Sequence, residues 1–140
     1  MTYSGSFDII VIGGGASGML AAITAARHGA NVCILERMDR VGKKLLVTGN
    51  SRCNMTNLNM TPDHYHGASQ SFINQVLESF DHKATLQFFE KIGLVWYADD
   101  EKRVFPSSNQ ASAVLDLLRF AMIRHHIQIE CSACLLYTSD

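Results

Sequence analysis

Gly13, Gly15 and Gly18 follow the apolar run Ile9–Ile12 and open an alanine-rich stretch, and Glu36 closes the next apolar run. G-x-G-x-x-G between a strand and a helix, with an acid after the second strand, suits the diphosphate and ribose of a dinucleotide. Gly13 turns the chain out of the strand, Gly15 lets bare backbone approach a pyrophosphate, and Gly18 lets the helix pack closely. The helix start aims its free N–H groups at phosphate oxygens. Glu36 can accept hydrogen bonds from ribose hydroxyls.

A second stretch with chemical potential is GKKLLVTGNSRCNMTN, from Gly42 to Asn57. Lys43 and Lys44 precede the turn residues Thr48, Gly49, Asn50 and Ser51, and Arg52, Cys53 and Asn54 follow. Several donors with positive charge suit a pyrophosphate or the electron-rich end of a reduced flavin. The same composition also fits a solvated surface loop, and composition alone leaves both open.

These residues need a frame to hold them. Ile9–Ile12 reads as a strand buried on both faces. A helix from Ala16 to His28 turns Met19, Leu20, Ala22, Ile23 and Ala26 inward and ends at Gly29. Val32–Leu35 is the second strand. After a polar passage from Asp39 to Ser69, Phe72, Val76, Leu77 and Phe80 recur at helical spacing, and Asp81 caps a helix that Gly93 stops. Leu94–Ala98 and Lys102–Phe105 flank a turn and predict a hairpin. A helix from Asn109 to His126 then leads to a third main strand, Ile127–Glu130. The expected fold is α/β, a Rossmann-like βαβ unit with parallel strands in the order 3-2-1. Between strands 2 and 3 lies a helical excursion with a β-hairpin. A plain nicotinamide-type unit returns to the sheet after one short crossover. The long excursion between Glu36 and Ile127 tilts the choice toward FAD over NAD.

Composition fits a soluble domain: 47% hydrophobic and 18% charged residues with a net charge of −1. This balance offers no electrostatic footprint for nucleic acid or an anionic membrane. No stretch approaches a membrane span, and the start MTYSGSFD lacks the basic region of a signal peptide, so a cytoplasmic protein is expected. Of the cysteines, Cys33 reads as core. Cys131 and Cys134 form a lone CxxC without the second pair a zinc site requires.

The Gly42–Asn57 loop resembles the signature of the BaiN/RdsA-type flavoproteins, bacterial NAD(P)/FAD-dependent oxidoreductases. The stretch FFEKIGLVWYADDEKRVFPSSNQASAVLDLL, centred on Arg103-Val104-Phe105-Pro106, is also similar to that family. The resemblance runs from Phe7 to Glu130. It implies that Gly13, Gly14, Gly15, Ala16, Ser17 and Gly18 hold the pyrophosphate, with Glu36 and Arg37 at the adenosine ribose and adenine edge. It places Lys43, Lys44 and Asn50, Ser51, Arg52, Cys53 and Asn54 along the pyrophosphate, ribityl chain or flavin. FAD is the implied cofactor, NAD(P)H the electron partner and a small organic molecule the substrate, in some members a conjugated enone. No residue stands out as a general acid or base. Ser51 occupies a position where the family usually has glycine. If that position needs positive φ, serine costs roughly 1 kcal/mol.

Other residues carry weaker signals. His64 and His66 flank Tyr65, and without a nearby carboxylate or cysteine they read as solvated. Trp96 and Tyr97 read as hairpin packing. Cys53, between Arg52 and Asn54, is a thiol whose pKa that arginine would lower, which opens a redox or flavin-adjacent role; the alternative is a hydrogen-bonded loop residue. The chain closes on CSACLLYTSD, which reads as a truncated gene product: residues 1–140 form part of an FAD-binding domain, with the rest of it and a substrate domain absent. On that reading residues 1–140 alone lose FAD during purification. The alternative to a flavin oxidoreductase is a nucleotide-binding module without chemistry.

Overall fold

The computed structural model describes residues 6–67 and 69–134. In chain order the elements are β1 (Ile9–Ile12), α1 (Ala16–Arg27), β2 (Val32–Leu35), β3 (Thr56–Asn57), α2 (Gln70–Ser79), α3 (His82–Lys91), β4 (Trp96–Ala98), β5 (Arg103–Pro106), α4 (Ala111–Arg124) and β6 (Gln128–Glu130). Single 3-10 turns occur at Leu45–Val47 and Pro62–His64.

The main sheet is parallel with the order β1-β2-β6, as the apolar runs and their crossovers predict. Its register pairs Ile10 with Cys33 and Ile34 with Ile129. β2 lies in the middle, so Val32, Cys33 and Ile34 are all buried. Met19, Ala22 and Ile23 of α1 meet Val114, Leu115, Leu118 and Met122 of α4, and together they cover Val32 and Ile34 in one core. These are the residues whose helical spacing predicts an inward face.

β1 departs from its expected burial on both faces. Ile10 and Ile12, which share a side of the strand, are 56% and 67% exposed. β1 is an edge strand here, and among the described residues no layer covers that side. The α2 stripe also departs from expectation. Phe72, Val76 and Phe80 face outward, while Ile73 is the residue that α2 buries. Asp81 does cap α3, accepting the Ala84 N–H at 2.8 Å.

The hairpin forms where turn chemistry places it, as β4 and β5, but it belongs to a second, antiparallel sheet with the order β3-β5-β4. The added strand, β3, pairs Thr56 with Val104 and Asn57 with Arg103. It ties the end of the Gly42–Asn57 loop to the second sheet.

One contact sets how closely α1 approaches β1. A Cβ on Gly18 would collide with the Gly13 carbonyl oxygen. Backbone cannot give way as a flexible side chain can, so Gly18→Ala should destabilise the chain by about 1–3 kcal/mol. Chemical denaturation of the two proteins measures this. Equal midpoints would show that α1 has room to shift.

Candidate functional site

The glycine turn is held from three sides. The Gly13 N–H donates to the Leu35 carbonyl at 2.8 Å, and Gly13 itself takes a φ of +98°, which disfavours any side chain. Gly15 is the N-cap of α1 and supplies no side-chain acceptor. The first N–H groups of the helix therefore keep their capacity for an outside anion. Next to Gly15 a Cβ would meet open space, the side from which a phosphate can approach.

Glu36 sits beyond β2 and faces this turn. Its Oε2 accepts the Gly14 N–H at 2.6 Å, and its Oε1 accepts the Met38 N–H at 2.7 Å. A carboxylate offers about four acceptor positions, so two remain for a ribose diol. The Gly14 carbonyl in turn accepts the Gly42 N–H at 2.7 Å. That bond anchors the start of the second loop to the glycine turn.

Two hollows open on either side of the turn. The first, about 210 Å³, is lined by Gly13, Leu35, Glu36, Arg37 and the segment after β6, including Ala133 and Cys134. The Ala133 N–H donates to the Glu36 carbonyl at 2.9 Å. The second, about 520 Å³, is lined by Gly15, Ala16 and Ser17 on one side and by Lys44, Cys53 and Asn54 on the other. The fold thus brings parts of both sequence motifs to one mouth.

Lys43, Asn50, Ser51 and Arg52 lie outside both linings. Lys43 pairs with Asp39 at 3.2 Å, and this partner holds the Asp39 carboxyl below its usual range. Arg52 lies over the Phe105 ring, 4.5 Å from its centroid, and its Nε donates to the Gly49 carbonyl at 3.3 Å. Asn50 and Ser51 adopt φ values of 54° and 64°. The Ser51 carbonyl accepts the Ala111 N–H at 2.8 Å, which satisfies an otherwise uncapped donor at the start of α4.

Cys53 behaves differently from its sequence setting. Burial pushes its thiol pKa up, against a smaller opposing hydrogen bond from Thr48. Arg52 does not contribute the expected lowering; its guanidinium lies over Phe105. Tyr97 packs on Phe105 of the facing hairpin strand, 6.0 Å between ring centroids, and its hydroxyl donates to Asn109 at 2.6 Å, whereas the Trp96 indole N–H reaches out to Glu90 of α3 at 2.8 Å. Thr48, Met55 and Phe89 also line the second hollow, and sequence reasoning misses them. Only the proximity of Thr48 and Met55 to the loop motif signals them. Residues 135–140 of the unusual tail lie outside the described residues. Among the described residues, no group of three or more His, Cys, Asp or Glu side chains is arranged to hold a metal ion. No helix among them is long and apolar enough to cross a membrane.

A family profile described as "HI0933-like protein Rossmann domain" matches residues 7–137. The chain belongs to this family. It is 45% identical over 121 residues to the 3-dehydro-bile acid delta(4,6)-reductase of Clostridium scindens, covering 85% of the chain and 29% of the relative. It is 30% identical over 112 residues to the ribosomal RNA dihydrouridine synthase of Escherichia coli, covering 80% of the chain and 28% of that protein. The chain therefore spans under a third of the length of these relatives. A flavin-containing amine oxidase of Oncorhynchus mykiss is 32% identical over 108 residues, covering 77% of the chain and 20% of the oxidase. Among solved structures, the 3-ketosteroid-delta4-(5alpha)-dehydrogenase of Rhodococcus jostii RHA1 shares the fold. Its TM-score is 0.68 at 15% identity, over 94% of this chain and 38% of that one. Family and fold make this chain an FAD-type Rossmann segment, as its loop signature implies.

Ser51 does occupy the left-handed region, so Ser51→Gly should stabilise the chain by up to about 1 kcal/mol. An unchanged or lower melting temperature would mean that the serine pays no such cost. Because the Cys53 pKa is raised, its thiol stays protonated at neutral pH and its reactivity should climb only in alkaline solution. Thiol labelling at pH 7 should modify exposed Cys131 well before Cys53. Equal rates would contradict the burial.

Proposed function

We propose that this chain holds FAD across the two hollows, with the adenosine at Glu36 and Arg37 and the pyrophosphate on Gly13–Ser17. The flavin end lies toward Lys44, Cys53 and Asn54. The observation that carries this reading is the meeting of the α1 N-terminus with the second loop around one cavity. The residues fit the cofactor: the uncapped first turn suits phosphate, Glu36 keeps two acceptor positions, and Lys44 supplies charge. When bound, FAD supplies hydride transfer to and from an organic substrate.

The protein to which these residues belong acts, on this reading, as a flavin-dependent reductase of a C=C bond conjugated to a carbonyl, with NAD(P)H as electron donor. A delta(4,6) double bond in a 3-dehydro bile acid and the uracil double bond that a dihydrouridine synthase reduces share that chemistry. The chain's own residues bind, orient and exclude water. They offer Gly15–Ser17 and Lys44 to the phosphates and the apolar Met55 and Phe89 to a ring system.

A free small molecule is the favoured substrate, since the 45% identical relative is named for one and the net charge of −1 supplies no polyanion footprint. The alternative, an RNA substrate, draws on the dihydrouridine synthase likeness. The proposed compartment is the cytoplasm, consistent with four free cysteines.

In the full-length protein, Glu36→Ala should weaken FAD binding by about 1–3 kcal/mol, the cost of stranding hydrogen-bonding groups. Titration of the apoprotein with FAD, followed by flavin fluorescence, measures it. Unchanged affinity would mean that the adenosine half binds elsewhere.

A further inference from the structure

β5 grips the second loop through two adjacent residues. The Met55 N–H donates to the Val104 carbonyl at 2.9 Å, and the Arg52 guanidinium lies over the Phe105 ring, 4.5 Å from its centroid. Between these two fixed points stand only Cys53 and Asn54, and both line the second hollow. We propose that Phe105 is a positioning residue for the flavin end of FAD. Acting through Arg52 and this two-residue span, it sets how much more tightly the site holds FAD than ADP. This deepens the flavin reading above and rests on it.

Phe105 lines neither hollow, so its effect reaches the cofactor through the loop. The residue is 1% exposed, and close packing leaves such a ring little freedom to tilt. Tyr97, its partner across the hairpin, backs it with 6.0 Å between ring centroids and is held in turn by Asn109. On the loop side, a Cβ at Gly49 would come within 3.3 Å of the Phe105 ring and 2.6 Å of the Asn54 nitrogen. Gly49 therefore fills the space between the ring and Asn54. The Arg52 Nε donates to the Gly49 carbonyl at 3.3 Å, which closes the turn over the ring. Asn50, Ser51 and Cys53 in this span take positive φ, conformations that persist only where neighbours enforce them. Phe105 is a buried neighbour that meets the loop twice, at Gly49 and at Arg52. The glycine turn and Glu36 are held instead by the main sheet and by the Gly42 N–H at the loop's start. A fault at Phe105 is therefore felt at the flavin end and not at the adenosine end.

Calorimetric titration of the full-length apoprotein with FAD and, separately, with ADP tests this. Arg52→Ala should lower FAD affinity about 2–5-fold, the loss of one exposed cation–π contact. Phe105→Leu should lower it at least as far, and ADP affinity should be unchanged in both. Because Arg52 acts through the ring, the double variant should bind FAD no more weakly than Phe105→Leu alone. Unchanged FAD affinity in Arg52→Ala overturns the proposal, and so does an equal loss of ADP and FAD affinity in either variant. Effects that add in the double variant also overturn it, since they put Arg52 on the cofactor itself. Arg52 is exposed, so Arg52→Ala decides the matter alone if Phe105→Leu does not fold. A wild type that binds ADP as tightly as FAD overturns the flavin reading instead.

Discussion

The hydrogen bonds of the Glu36 carboxylate are what the rest of the site depends on. They join the Gly14 N–H to the Met38 N–H, and so tie the glycine turn to the chain leaving β2. The same peptide at Gly14 receives the Gly42 N–H through its carbonyl, which carries the constraint into the second loop. The Glu36 backbone extends it further: its N–H donates to the Glu130 carbonyl and its carbonyl accepts the Ala133 N–H. One acidic residue thus coordinates three separate segments at the carboxyl ends of the parallel strands, where open α/β sheets bind ligands. The ribose contact proposed for it does not compete with this structural use, because only part of its acceptor capacity is taken by backbone.

The second loop is built from backbone conformations that side chains disfavour. Asn50, Ser51 and Cys53 all have positive φ. Such strain persists only where surrounding structure determines it, and it concentrates at ligand sites. Here the supports are visible: Cys53 N–H to the Thr48 carbonyl at 3.0 Å, Ser51 to the start of α4, and Arg52 on Phe105. Arg52 and Lys43 therefore act on the loop's shape, whereas Lys44 and Asn54 line the cavity. Division of labour within a short basic segment explains why so many polar residues cluster there.

Much of this arrangement is legible in the residues. The continuous apolar runs of β1 and β2, the helical spacing of α1 and α4 and the glycine spacing together imply the parallel sheet and its strand order. The position of Glu36 follows from where the second run ends. What escapes is set by distant neighbours. Phe105 captures Arg52 from far along the chain, and no local pattern announces that pairing. β3 has two residues, too few for a period to show. The apolar faces of β1 and α2 match buried elements in composition, yet Ile10, Ile12, Phe72 and Val76 are exposed among the described residues. Hydrophobic pattern reports what a segment suits, and burial depends on what packs against it.

On the proposed reading, one extended FAD spans both hollows through the glycine turn. Amide chemical-shift mapping of the isotope-labelled chain with ADP and then with FAD tests it most directly. ADP should perturb Gly13–Ser17 and Arg37, and FAD should perturb those amides and also Lys44, Cys53 and Asn54. Identical footprints for ADP and FAD, or footprints that miss the glycine turn, would contradict the account.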